Sequence, residues 1–348
     1  MTMRIIFTDK HRLHDPANAI IDGKRFASED SPERAESILH AVQKPPFGPI
    51  CPPSDHGLDP ILSVHSQDYV AYLQSAYHQN ATTYGQASAV IPETFAPRGA
   101  RRKPGSFHGI PGYYGFGIGT PLLEYTWEAA YWSAQCALTA VDFVLAGDRL
   151  SGDRAVYAIC RPPGHHAASS LYGGLCYLNN AAIAARSLQA GGLARLAILD
   201  IDYHHGNGTQ EIFYTDPSVL YCSLHAHPDD DYPYYWGAAD ETGEGAGRGY
   251  NHNFPLPQGT GDADYLAALD LALGLIRSFA PTGLIVSAGF DTAVGDPIGR
   301  FNLTEEGLAK VGLHTADLAL PTVIIQEGGY LVERLGENAA AFLRAFTG

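Results

Sequence analysis

The sequence is poor in positive charge. Its 348 residues include 22 Lys and Arg against 37 Asp and Glu, which gives a net charge of −15. Proteins that bind nucleic acids or anionic membranes need a basic face for the phosphate groups, so this deficit argues against both partners. Charged residues make up only 17% of the chain and hydrophobic ones 45%, which is typical of a well-packed globular protein.

Cysteine is scarce and long apolar runs are missing. The cysteines are odd in number and scattered, which fits neither a disulfide framework nor a CxxC metal clip. They are Cys51, Cys136, Cys160, Cys176 and Cys222. No run of 18 apolar residues occurs, so we predict no membrane span. The opening MTMRIIFTDK has no long apolar stretch and no small-residue cleavage site, so we expect no secretory signal and a cytoplasmic protein.

Strand-like and helix-like segments alternate along most of the chain. Short apolar runs predict strands at 4–7, 155–160, 195–200, 219–223, 283–287 and 322–325. Between and after them, helical patterns occur at 126–146, 180–189, 262–279, 304–318 and 337–346, with earlier helices ending near 43 and 77. Several strand runs are continuously apolar, as expected when helices cover both faces of a sheet. This alternation predicts a parallel sheet with right-handed crossovers.

One segment departs from this alternation. Residues from about 80 to 125 are rich in Gly and Pro and show no sustained period, so we read them as a long ordered excursion. No internal repeat or low-complexity tract is present. We therefore predict a single domain over residues 1–348, with an inserted loop region at about 80–125.

Polar side chains follow four of the predicted strands. The clusters are Asp200 to His205, the pair His165 and His166, Asp291, and Tyr330. Ligands bind at the carboxyl ends of strands in parallel α/β sheets, so we expect these side chains to meet. Because extended residues alternate faces, Asp200, Asp202 and His204 should project to the same side.

Such a set of side chains favours metal-assisted hydrolysis. Carboxylate and imidazole ligands without thiolate suit a catalytic Zn²⁺ with an open position, which lowers the pKa of bound water from about 15.7 to roughly 7. A neutral His can then accept the proton, and a Tyr can donate to a developing oxyanion. Each signal alone is weak, since a single Asp or His after a strand is more often a cap or turn former. Four compatible strand ends together are much more specific.

The ordered motifs RPPGHH, GGLCYLNNAA, LDIDYHHGNGTQ, SLH, GFDT and EGGY resemble those of a known family. They are similar to the zinc-dependent deacetylases of the histone deacetylase superfamily, and in particular to the bacterial acetylpolyamine amidohydrolase branch. The resemblance covers essentially the whole chain. It implies an α/β, single-domain arginase-deacetylase fold, with an about eight-stranded, mostly parallel sheet between helical layers.

The resemblance also implies roles for individual residues. The ligands of one Zn²⁺ per subunit, with Fe²⁺ as an alternative, would be Asp202, His204 and Asp291. The catalytic residues would be His166 as general base and later acid, His165 as its electrostatic partner paired with Asp200, Asn207 as the hydrogen-bond partner of His166, and Tyr330 as oxyanion donor.

Structural potassium is implied at two further sites. The inner site would use Asp200, Asp202, His204, Ser223 and Leu224; the outer site would use Phe213, Asp216, Val219 and Tyr250. An inner cation would offset the repulsion between the carboxylates. The alternative is that Asp200 serves only as the partner of His165.

The substrate channel departs from the family pattern. We place Gly174, Leu175, Tyr232, Ile298 and His108 on it. Relatives that act on polyamines hold the distant ammonium groups with acidic residues, and the matching positions here fall near Ala19, His108 and Gly119, none of which is acidic. Leu175 stands where relatives have an aromatic residue; the alternative to a role in specificity is that it serves only for packing.

The leading prediction is a zinc-dependent amidohydrolase that releases acetyl from a small acylated amine such as an acetylpolyamine or acetyl-lysine. The inserted region resembles the one through which these enzymes dimerise, so we expect a homodimer; the alternative is that it covers only its own subunit. Two other functions stay open, a hydrolase of small neutral amides and a non-catalytic protein that binds metal or acylated amines. A binuclear arginase-type enzyme is disfavoured, because Gly206 stands where its second metal needs a ligand.

Overall fold

The computed structural model describes residues 3–21, 24–97, 99–100, 102–150 and 154–347. Its strands are β1 (Arg4–Ile6), β2 (Asn18–Ile21), β3 (Lys24–Ala27), β4 (Ile50–Cys51), β5 (Ala155–Ala158), β6 (Leu196–Asp200), β7 (Val219–Ala226), β8 (Asn251–Leu256), β9 (Gly283–Ala288) and β10 (Thr322–Gln326). Its α-helices are α1 (Glu33–Val42), α2 (Asp59–Leu62), α3 (Gln67–Tyr84), α4 (Ile110–Tyr114), α5 (Thr126–Leu150), α6 (Asn180–Ala190), α7 (Asn207–Phe213), α8 (Asp262–Phe279), α9 (Glu305–Ala316) and α10 (Val332–Leu343). Short 3₁₀ helices occur at Asp9–Leu13, Phe107–Gly109, Gly245–Gly247 and Arg344–Phe346.

Eight strands form one sheet in the order β4-β1-β5-β10-β9-β6-β7-β8, and every neighbouring pair is parallel. The strands β2 and β3 form a separate antiparallel hairpin. These observations confirm the predicted α/β fold with a parallel sheet between helical layers.

Alternation along the buried strands divides the core into two layers. Leu199 packs in a cluster with Leu269 of α8 and Phe342 of α10. Its neighbour Ile198 belongs to a second cluster with Val141 of α5 and other residues on the opposite face. Because successive strand residues point to opposite faces and both faces are covered, the run LAILD has to be apolar almost throughout.

The segment predicted as an excursion leaves from the end of α3 and is anchored at both ends. Val90 pairs with Leu122 in an antiparallel bridge, which closes the base of the segment. Within it, Tyr114 packs in a third apolar cluster with Tyr72 of α3. The returning stretch at 117–120 then reaches the cavity described below.

Several element boundaries differ from the sequence predictions. The edge strands β4 and β8 were not predicted, because β4 has only two residues and β8 reads NHNFPL, with polar side chains interleaved. The last helix begins at Val332 rather than near residue 337. The strand β6 ends at Asp200 as predicted, but 202–204 form a bend. The expectation that Asp202 and His204 continue the extended alternation from Asp200 is therefore wrong, and both lie on the loop after the strand.

Among the described residues, no helix combines the length and the apolar character that crossing a membrane requires.

Candidate metal centre and catalytic cavity

Three buried donors converge where β6 and β9 end. One donor atom from each of Asp202, His204 and Asp291 lies within 4.8 Å of the others. The Nδ1 atom of His204 is 3.2 Å from Asp202 Oδ1 and 3.1 Å from Asp291 Oδ2. The sequence prediction that these residues come together is thus met by the geometry. Carboxylate oxygens and imidazole nitrogens are both ligands of Zn²⁺, and catalytic zinc sites have three protein ligands with a fourth position left open.

The backbone around these donors leaves room that a larger residue would fill. A Cβ atom added to Gly289 would overlap the Asp202 carboxylate. A Cβ atom on Gly328 would lie 2.6 Å from Asp202 Oδ2 and closer still to Asp291 Oδ2. The amide of Gly328 itself donates to Asp202 Oδ2 at 2.7 Å and fixes the orientation of that carboxylate. The donor set and this open cradle both fit a divalent cation.

The pKa values of the residues at the centre also favour a bound cation. Burial and the negative charge of Asp202 raise the pKa of Asp291 to about 7. Burial lowers the pKa of His204, but its hydrogen bonds to the two carboxylates outweigh this and raise it to about 10. Buried carboxylates this close together need a compensating positive charge, which a bound cation supplies.

The His pair is placed by the loop after β5. The amides of Gly164 and His165 donate to Glu327 Oε2 at 2.6 and 3.1 Å, which ties this loop to the end of β10. His165 Nδ1 lies 3.1 Å from Asp200 Oδ2. His166 Nδ1 lies 2.7 Å from Asn207 Oδ1, at the start of α7. With Nδ1 donating to the amide oxygen, Nε2 of His166 is left free to accept a proton.

The two adjacent imidazoles differ in charge because their partners differ. Burial lowers the pKa of His165, but the charges of Asp202 and Asp200 prevail and raise it to about 10. Burial and the positive charge on His165 lower the pKa of His166 well below its ordinary value. His165 is therefore the cation of the pair, and His166 is the neutral member that a general base requires.

Tyr330 follows β10 and is held from two sides. Its amide donates to Asp296 Oδ2 at 2.7 Å, and the guanidinium carbon of Arg34 lies 4.5 Å from the centre of its ring. Burial raises the pKa of Tyr330 well above its ordinary value. The phenol accordingly keeps its proton and can serve as a hydrogen-bond donor.

A cavity of about 420 Å³ opens onto this centre. Its wall is formed by Ser28, Glu29, Asp30, Gly117, Ile118, Gly119, Thr120, His166, Gly174, Leu175, His204, Tyr232, Tyr234, Ile298 and Tyr330. Of the predicted channel residues, Gly174, Leu175, Tyr232 and Ile298 therefore line it. His108 does not: its ring packs edge-on against Tyr84 with centroids 5.2 Å apart, and its Nδ1 lies 3.0 Å from Ser106 Oγ. Placing His108 on the channel is thus incorrect for this cavity.

Two consecutive residues in the left-handed region form part of the wall. Gly174 has φ 55° and Leu175 has φ 67°. A Cβ atom on Gly174 would collide with the ring of His166, so only glycine allows the backbone to approach this imidazole. Thr120 Oγ1 accepts from the Leu175 amide at 2.9 Å and stabilises the unusual conformation of a leucine there.

The inner set of residues predicted to hold potassium shares Asp202 and His204 with the centre. Asp200 is in register with Ser223 on the neighbouring strand. Ser223 Oγ lies 2.8 Å from His225 Nδ1. In the outer set, the Asp216 carboxylate binds Arg186 Nη1 at 2.7 Å, so a cation there would depend on backbone carbonyl groups. Potassium at either place stays a prediction.

A buried arginine network beneath the cavity was not foreseen. Asp30 Oδ1 accepts from Arg34 at 2.7 Å and from Arg161 at 3.0 Å. Arg34 also donates to the carbonyl groups of Glu327 and Gly329 at 2.7 and 2.6 Å. A sequence signal existed, since Asp30 and Arg34 are four residues apart at the start of a predicted helix. The pairing of Asp30 with Arg161, 131 positions away, had none.

Other proteins share both sequence and fold with this chain. Residues 28–346 match the model of the histone deacetylase domain. Acetylpolyamine amidohydrolase 1 of Pseudomonas aeruginosa is 43% identical over 99% of either chain. Acetylpolyamine amidohydrolase of Mycoplana ramosa is 37% identical, over 99% of this chain and 100% of that one. The crystal structure of acetylpolyamine aminohydrolase from Burkholderia pseudomallei superposes with a TM-score of 0.92 at 40% identity, covering 99% of this chain and 98% of that chain.

Proposed function

Because this chain belongs to the histone deacetylase domain family, we infer that it is a metal-dependent amidohydrolase that deacetylates small acetylated amines. Its relatives in Pseudomonas and Mycoplana are named for acetylpolyamines, and this is the substrate class we propose. The observation that carries the proposal is a buried donor cluster of Asp202, His204 and Asp291 at the inner end of a cavity. His204 lines this cavity together with His166, whose Nε2 is free, and Tyr330, whose phenol is protonated.

We propose Zn²⁺ as the metal and Asp202, His204 and Asp291 as its ligands. When bound, Zn²⁺ supplies Lewis acidity and lowers the pKa of a water molecule toward neutrality. The remaining chemistry comes from the chain. His166 accepts a proton at Nε2 and later delivers it to the leaving amine, while His165 stays cationic between Asp200 and Asp202.

Tyr330 acts on the other side of the scissile amide. Its protonated phenol donates to the substrate carbonyl oxygen as negative charge develops there. The contact of its ring with Arg34 and the hydrogen bond from the backbone amide of Tyr330 to Asp296 fix the position of the ring before substrate binds. Gly174 and Leu175 form the wall beside His166.

The cavity suits a thin, extended substrate. Its wall is largely apolar, and the stretch at 117–120 forms part of it. The same inserted segment exposes Tyr84, Ile91 and Phe95, which supports the proposal that it is buried in a homodimer. We propose that the chain forms a single catalytic domain. We also propose that the entrance of its cavity admits a small acylated amine or a flexible peptide rather than a folded protein surface.

A direct assay tests the proposed function. The zinc-loaded protein is given N-acetylputrescine, a tripeptide containing acetyl-lysine, and N-butylacetamide, and released acetate is measured. We expect acetate from the first at least, and a rate lower by about 10²–10⁴ in His166→Ala with unchanged zinc content. Zinc-loaded wild-type protein that releases acetate from none of them would instead support the non-catalytic alternative.

A further inference from the structure

The residues that line the catalytic cavity include one acidic residue that has no role in the chemistry above and no partner of its own. Glu29 and Asp30 are the acidic residues of the lining, and neither Lys nor Arg is among the described residues that form it. Asp30 is buried and held by Arg34 and Arg161. Glu29 is exposed, and among the described residues no cation or hydrogen-bond donor contacts its carboxylate. It is therefore available to a ligand.

The position of Glu29 within the cavity decides what it can contact. His166, His204 and Tyr330 are all buried, so the reacting end of the cavity is the inner one. Glu29 is exposed, which places it toward the solvent end. Between these ends the wall offers Ile118, Leu175 and other apolar or backbone surface. A ligand that spans the cavity thus needs an amide at one end, an apolar chain, and a cation at the other.

The segment that carries Glu29 is fixed in place by its neighbour. Asp30 is tied to two buried guanidinium groups, and the amide of Ser31 donates to the Glu29 carbonyl oxygen at 3.0 Å. The backbone of Glu29 consequently has little freedom, although its side chain reaches solvent. An aromatic face lies on the same wall, because Tyr234 is 56% exposed and lines the cavity. Carboxylate and aromatic faces are both favourable surroundings for an ammonium group.

We propose that Glu29 is a specificity-determining residue that binds the free ammonium at the far end of a monoacetylated diamine. This inference rests on the proposed function and adds to it the group that selects a cationic substrate. The positions that match the acidic residues of relatives carry His108, Gly119 and Ala19 here, and the side chain of Ala19 lies outside what the structure describes. Glu29 supplies the missing charge from the loop before α1.

The expected effect is moderate, because Glu29 is exposed. Ion pairs in contact with solvent contribute little individually and are screened by salt. We therefore expect about a three- to tenfold contribution to kcat/KM for the cationic substrate. It should act mainly through KM, since the ammonium group is remote from the reacting bond.

Substrates that differ only at the far end test this assignment. N-Acetyl-1,5-diaminopentane carries an ammonium group, N-hexylacetamide replaces it by a methyl group, and 6-acetamidohexanoate carries a carboxylate. Glu29→Gln should lower kcat/KM for the diamine three- to tenfold and change that for N-hexylacetamide less than twofold. Glu33→Gln removes the same charge from an exposed residue outside the cavity wall, and it should leave the ratio of the two substrates unchanged.

Charge reversal gives the second arm of the test. Glu29→Lys should penalise the diamine further and improve 6-acetamidohexanoate over the wild-type value. An equal change on charged and neutral substrates, or no loss on the diamine, would overturn the role of Glu29 and leave the proposed function intact. If the wild-type enzyme hydrolyses none of the three, the proposed function fails. In that case, calorimetry measures the binding of N-acetyl-1,5-diaminopentane to the wild-type protein and to Glu29→Gln. Equal affinities would count against the role of Glu29.

Discussion

At the scale of single residues, adjacent His165 and His166 acquire opposite roles from their partners. A carboxylate accepts from the first and an amide oxygen from the second. Asp200 stabilises an imidazolium, whereas Asn207 orients its partner without adding charge. The charges of Asp202 and Asp200 therefore favour the cationic form of His165, while burial and that positive charge keep His166 neutral.

This argument predicts the effect of Asn207→Asp on the pH profile. The new carboxylate would lie near His166 Nδ1, now 2.7 Å from the amide oxygen, and would stabilise the charged imidazole. The pKa of His166 should rise, so the base would be lost at a higher pH. We expect the acidic limb of kcat/KM to move upward by about one pH unit. Asn207→Ser, which adds no charge, is the control; a limb that stays in place in Asn207→Asp would remove His166 from the role of base.

A second prediction concerns the phenol of Tyr330. Tyr330→Phe keeps the ring against Arg34 and removes only the hydroxyl donor. Rates should fall by about 10²–10³ while zinc content, measured by atomic absorption, stays the same. A loss of less than threefold would show that another group stabilises the oxyanion.

The sequence predicted which residues form the site better than it predicted the contacts that hold those residues in place. The convergence of Asp202, His204 and Asp291 followed from their places after parallel strands. Arg161 could not be assigned, because its partners include the carbonyl groups of His11 and His14, which carry no side-chain signal. Glu29 was missed for a related reason, since exposure and lack of a partner are properties of the folded chain alone.

At the scale of elements, the central strands deliver side chains because they end at one edge. The strands β5, β10, β9 and β6 are neighbours in this order. The loops that follow them carry His166, Tyr330, Asp291 and Asp202. The elements predicted well are these buried ones, whose apolar runs are continuous. The edge strands lack that signal because one side of each is not paired, so their sequences are freer.

The loop after β10 makes an element-level prediction possible. Gly328→Ala places a methyl group against the carboxylates of both Asp202 and Asp291, so the donors must separate. Zinc affinity should fall at least tenfold, measured by competition with a chelating dye. The matched control is Gly274→Ala in α8, where an added Cβ meets nothing within 4 Å, and which should retain zinc. Normal zinc affinity in Gly328→Ala would mean that the metal is held elsewhere.

At the scale of the whole molecule, the excess of acidic residues affects both the net charge and the buried centre. The net charge of −15 gives the protein a field that attracts cations over long distances. Inside, the same excess takes the form of buried carboxyl groups around the centre. Burial raises the pKa of Glu327 to about 7, and Asp291 is raised to a similar value. The fold without a cation therefore holds protons that the unfolded chain would release.

This linkage predicts how metal removal changes stability with pH. A carboxyl group whose pKa is raised by folding stabilises the fold at low pH, and that stability is lost as pH rises from about 4 toward 7. His165 and His204, raised to about 10, continue the loss above pH 6.5. A bound metal replaces the protons on its ligands, so the affinity of the site for the metal increases over the same pH range.

The difference in Tm between zinc-loaded and chelator-stripped protein should therefore widen from pH 5.5 to pH 8. Each proton released adds up to about 1.4 kcal/mol per pH unit. Scanning calorimetry measures the difference, and His204→Ala, which lacks a ligand, should show almost none. A difference that stays constant or narrows with rising pH would contradict a metal site built from these three donors.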